Sequence, residues 1–121
     1  METLARLIDG LTRLEDEIIQ PISVTLYSEY QQIERHLNNG ADRDFDFVLL
    51  DRDCKSGGSF HVINLELFSK AVVIGISSVP QYNRDLLARG VNIVVDKDYK
   101  RLDEFADKVM KTIKANMTAL A

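Results

Sequence analysis

Asp44-Phe-Asp-Phe-Val-Leu-Leu-Asp51-Arg-Asp-Cys-Lys-Ser-Gly-Gly58 is the stretch whose reading decides the fold. Phe45, Phe47, Val48, Leu49 and Leu50 form a run too short and too rich in β-formers for a surface helix, and an acidic, glycine-containing turn follows at once. The run reads as a buried strand. It ends on Asp51, and in an open parallel α/β sheet the carboxyl ends of the strands face the crevice where ligands bind. Asp51 is therefore the first candidate site residue.

Two more runs of the same kind lie downstream. Ala71 to Ser78 (Ala-Val-Val-Ile-Gly-Ile-Ser-Ser) is all apolar until its terminal hydroxyls, and Val91 to Val95 is a third strand that gives way to Asp96-Lys97-Asp98. Between and around them the period changes to that of helices. Glu2 to Ile19 is amphipathic, and Leu4, Leu7, Leu11, Leu14 and Ile18 also fit a heptad spacing, so the stripe serves either the chain's own sheet or a second copy of the helix. Pro21 ends this helix, and Ile22 to Tyr27 reads as a further strand. Ser28 caps a short helix carrying Tyr30, Ile33 and Leu37, and Asn38-Asn39-Gly40 stops it. Phe60 to Phe68 predicts another short helix. Pro80 to Arg89 predicts one with Tyr82, Leu86 and Leu87 inward, closed by Gly90, and Leu102 to Ala119 predicts the last. An N-terminal helix over residues 1–20 followed by β-α repeats over 21–121 demands parallel pairing with right-handed crossovers. The expected fold is one three-layer α/β/α domain of flavodoxin-like type with a four-stranded parallel sheet.

Composition narrows the function classes. The chain has 121 residues, 15 basic against 19 acidic, and no basic block, which argues against nucleic acid as a partner. No apolar run is long enough to span a membrane, and no signal-peptide pattern opens the chain, so the expected location is the cytoplasm. Cys54 is the sole cysteine and has no internal disulfide partner. His36 and His61 show no ligand spacing. Ser78, His61 and Asp51 lack the glycine-flanked elbow of a serine hydrolase, and no enzyme is expected.

Asp51, Ser77 and Lys97 thus close successive parallel strands, and on these residues the chain resembles the receiver domain of two-component response regulators. Phe47-Val-Leu-Leu-Asp51 is similar to the strand that ends in the phosphoacceptor aspartate, Val73-Ile-Gly-Ile-Ser77 to the strand that ends in the switch hydroxyl, and Gly90-Val-Asn-Ile-Val-Val-Asp-Lys97 to the strand that ends in the phosphate-contacting lysine. The resemblance implies Asp51 as acceptor, Ser77 and Lys97 as phosphate contacts, and Asp53 beside Asp51 at a Mg²⁺ site. It also implies a protein partner, either another signalling protein or a histidine kinase.

The chain departs from that pattern in ways that bear on chemistry. The strand carrying the family's Mg²⁺-chelating acidic pair has no counterpart, because residues 1–19 read as helix. Asp98 stands where a proline usually follows the lysine, and Val94 where an aromatic switch residue usually stands. Asp51 with Asp53 alone makes an incomplete Mg²⁺ shell. The expectation is a pseudo-receiver that signals by protein contact without phosphorylation and needs no cofactor; the alternative is a working phosphoreceiver acting through Asp51. Loss of that strand also leaves Ile22 to Tyr27 as an exposed edge, so a homodimer through the N-terminal helix or this edge is expected. Simpler roles stand beside these: Ser77 and Ser78 as caps of the next helix, Lys97 as a solvated ion pair between Asp96 and Asp98, and Asp51, Asp53, Asp96 and Asp98 as a loose divalent-cation cluster.

Overall fold

Strand-forming runs separated by helix-forming ones give an α/β fold. The computed structural model describes residues 2–25, 32, 34–35, 45–51, 65–68, 71–91 and 93–117. In chain order they form helix α1 (Glu2–Ile18), strand β1 (Phe47–Asp51), a 3₁₀ turn (Leu65–Phe68), strand β2 (Val72–Ser77), helix α2 (Pro80–Ala88), strand β3 (Ile93–Asp96) and helix α3 (Leu102–Met117). These fall into two compact units, residues 26–96 and residues 1–25 with 97–121.

The first unit holds the sheet. Its three described strands are all parallel and stand in chain order, β1-β2-β3. Leu50 pairs with Gly75 and Asp51 with Ile76, while Ile76 pairs with Val95 and Ser77 with Asp96. Side chains alternate between faces along a strand, so this register sorts them into two sets. Val48, Leu50, Val73 and Val94 share one face and pack with Phe68, Leu86 and Val91. Phe45 meets Phe68 edge-on, with ring centroids 6.3 Å apart. Leu49, Asp51, Ile74, Ile76 and Val95 share the other face.

Gly75 sets how closely α2 approaches. A Cβ at this position would run into the Leu86 side chain and press on Val94 Cγ1 at 3.3 Å, so only glycine lets the helix seat here. The expected inward face of α2 is corrected by one position. Leu86 is buried as expected, but its companion is Asn83 rather than Tyr82 or Leu87, which lie exposed. With Leu86 fixed over Gly75, Asn83 is the residue one turn earlier on the same face. Arg89 caps the helix through its backbone N–H, and Gly90 takes φ 98° to turn the chain toward β3.

The second unit pairs α1 with α3. Arg6 lies beside Asp103, Gly10 beside Met110 and Glu17 beside Lys114, an ascending set that makes the two helices run parallel. Leu7 and Leu14 of α1 are buried, as are Leu102, Phe105, Ala106, Val109 and Ile113 of α3. The apolar stripe of α1 is thus divided, with Leu7 and Leu14 covered and Leu4 and Ile8 exposed. The helix ends in a Schellman arrangement, with Gln20 N donating to Glu15 O and Ile19 in the left-handed region at φ 54°.

The expected strand Ile22 to Tyr27 is corrected over the residues described. Residues 22–25 are not in any sheet, and Ile22 N donates instead to Glu15 Oε2 at 2.5 Å. A carboxylate from the end of α1 takes an amide that a strand ladder would use, and Pro21 supplies none of its own. Leu26 and Tyr27 lie outside the described residues, so the described sheet has three strands where four were expected. Of the expected helix around 28–37, Gln32, Glu34 and Arg35 are helical. Of the one around 60–68, the described part is the 3₁₀ turn. No helix is long and apolar enough to cross a membrane among the described residues.

Candidate functional site

Each strand of the sheet ends on a polar residue: Asp51 on β1, Ser77 on β2 and Asp96 on β3. Parallel order brings these ends to one edge of the sheet. They do not share a face. Asp51 pairs with Ile76, one step before Ser77, and so belongs to the face of Ile76 and Val95, whereas Ser77 pairs with Asp96 on the face that α2 covers. Asp51 is half-buried.

Ser77 is fully buried, and its Oγ accepts the backbone N–H of Val79 at 3.0 Å. This i to i+2 bond is a hydroxyl turn, and it bends the chain from β2 into α2. Val79 is the N-cap, with no side-chain bond of its own, and Pro80 starts the helix. The hydroxyl therefore helps set the strand-to-helix corner, a task close to the capping role its position suggested. Ser78 is half-buried beside it.

Lys97 follows β3 directly and belongs to the helical unit. It is buried to 5 % exposure, and its Nζ lies 5.0 Å from the ring centroid of Tyr99, itself 59 % exposed. A lysine held this way sets its charge against an aromatic face, so it is not the solvated surface charge that its Asp96 and Asp98 neighbours suggested. Asp98 accepts Lys100 N through its side chain and Arg101 N through its carbonyl, which shapes the turn into α3.

Asn83 is the residue that sequence reading missed. It is 1 % exposed, and its Nδ2 donates to Val95 O at 3.1 Å and to Asp96 Oδ1 at 2.9 Å. Its only sequence signal is a polar side chain one turn before Leu86, on a helix whose other buried position is apolar.

Asp53, Cys54, His36 and His61 lie outside the described residues. Among the described residues no group of three or more His, Cys, Asp or Glu side chains is placed to hold a metal ion. Asp51 and Asp96 stand on opposite faces of the sheet, and Asp96 Oδ1 is bonded to Asn83, so these two do not form the carboxylate pair that a Mg²⁺ ion prefers. The described residues do not fit that ion. A cleft of about 330 Å³ at the start of α3 is lined by Arg6, Tyr99, Lys100, Arg101, Asp103 and Glu104. Four of its five charged side chains pair: Arg6 Nε is 2.6 Å from Asp103 Oδ1, close but not aligned as a hydrogen bond, and Arg101 is 3.7 Å from Glu104.

No protein-family model matches the chain, and no curated protein matches it.

Proposed function

We propose that this chain is a receiver-like signalling module of flavodoxin-like, three-layer type that acts by protein contact, without Mg²⁺-dependent phosphorylation and without enzymatic activity of its own. The observation that carries this reading is the order of strand ends: Asp51 and Ser77 close adjacent parallel strands, and Lys97 follows the third. Two features favour a contact role over phosphoryl transfer. Asp51 lacks a described carboxylate companion on its own face, and the Ser77 hydroxyl already serves the Val79 amide. Phosphoryl transfer depends on charge neutralisation that one carboxylate and one lysine supply poorly.

The partner is another protein, and a second copy of the chain is the simplest candidate, since α1 exposes Leu4 and Ile8 beside its buried stripe. The second reading, a working phosphoreceiver, is favoured by one feature: Lys97 is a buried ammonium set directly after a strand end. Intact-mass analysis after incubation with acetyl phosphate and Mg²⁺ separates the two. No adduct is expected, and an adduct lost in Asp51→Asn establishes the phosphoreceiver instead.

A further inference from the structure

We infer that Asn83 is a latch that binds α2 to the carboxyl end of β3 and holds that strand end in one arrangement. The donor pattern shows what the side chain does. Both Nδ2 hydrogens are used, one on the Val95 carbonyl and one on the Asp96 carboxylate. Reversing the amide would set its oxygen against two acceptors, so the orientation is dictated.

The other half of the amide shows what the side chain is not for. Asn83 Oδ1 is buried and has no hydrogen-bond partner among the described residues. An unmatched buried acceptor costs free energy that leucine, which has the same branching but no polar atom, would not incur. What the side chain supplies is direction, because only a donor pair reaches both oxygens. Asp96 is exposed, and an exposed carboxylate at a strand end would otherwise sample several rotamers. The bond from a nearly fully buried neighbour fixes one oxygen of this exposed side chain. Close seating of Leu86 over Gly75 on the same helix gives the latch a rigid base. A partner meeting this edge meets a preformed surface with one oriented carboxylate.

The latch needs neither phosphate nor a partner, so it stands or falls apart from the receiver-like function. Amide hydrogen exchange on the full chain, read by ¹⁵N NMR, tests it. In the wild-type protein both Asn83 side-chain amide protons exchange slowly; exchange at the solvent rate overturns the latch before any variant is made. In Asn83→Leu, exchange at Val95 and Asp96 accelerates about tenfold relative to β1 amides. Unchanged exchange at β3, or an equal acceleration at β1, overturns it. Should that variant fail to fold, Asp96→Ala keeps the Val95 bond and serves instead: the Asn83 side-chain protons then exchange faster than in wild type, and no change overturns the latch.

Discussion

Asn83 Nδ2 lies 2.9 Å from Asp96 Oδ1, a bond between a buried helix residue and an exposed strand-end carboxylate thirteen positions later. Hydrogen bonds to charged groups are the stronger ones, and this one ties the two elements that flank the Gly90 turn. Two of the three described strand ends are thus already committed to a local task before any ligand or partner arrives: Ser77 to the Val79 amide and Asp96 to Asn83.

The close approach of α2 to β2 makes Gly75 intolerant of any side chain. Gly75→Ala drives a methyl into Leu86 and against Val94, and is expected to cost about 1–3 kcal/mol. Urea denaturation monitored by circular dichroism reads this as a lowered midpoint at unchanged slope. A midpoint equal to wild type means that α2 is not seated as described.

Ile19 carries a β-branched side chain in the left-handed region, 88 % exposed, at the position where helix ends favour glycine. Ile19→Gly is expected to stabilise the chain by about 1 kcal/mol, and the sign of the midpoint shift in the same assay checks it.

Ser77→Ala removes the acceptor for the Val79 amide and should cost about 1 kcal/mol, with the loss localised to the first turn of α2 in hydrogen exchange. Should Ser77 matter only as a phosphate contact, the substitution would leave exchange at Val79 unchanged.

The pair Arg6 and Asp103 and the pair Glu17 and Lys114 bridge α1 and α3 near opposite ends, yet all four side chains are at least two-fifths exposed. Exposed ion pairs contribute little. Glu17→Gln should change stability by less than about 0.5 kcal/mol, whereas Leu14→Ala, at a position 3 % exposed, should cost about 2–5 kcal/mol. The contrast between the two midpoints tests whether the helix pair is held by burial or by charge.

Much of the sheet was legible because its signal is crude. Phe47 to Asp51, Val72 to Ser77 and Ile93 to Asp96 are apolar runs ended by polar residues, a pattern that parallel strands covered on both faces favour. Ile22 to Thr25, the described part of the expected strand Ile22 to Tyr27, is rich in β-branched residues yet joins no sheet, because the side chain that takes the Ile22 amide, Glu15, lies seven residues away on a helix. Hydrophobicity alone points to Tyr82, Leu86 and Leu87 as the inner face of α2. Asn83 is inside for the opposite reason, a hydrogen bond to a strand thirteen residues on, and no local pattern announces such a partner. The site was legible as a set of strand ends but not as faces, since the one-step offset between Asp51 and Ser77 depends on register, which periodicity alone leaves open.

Beryllofluoride, which mimics an aspartyl phosphate, probes the central claim most directly. Titrated with Mg²⁺ into ¹⁵N-labelled protein, it is expected to leave the Asp51, Ser77 and Lys97 resonances in place. Saturable shifts at all three, absent in Asp51→Asn, would contradict a contact-only module and establish a phosphoreceiver.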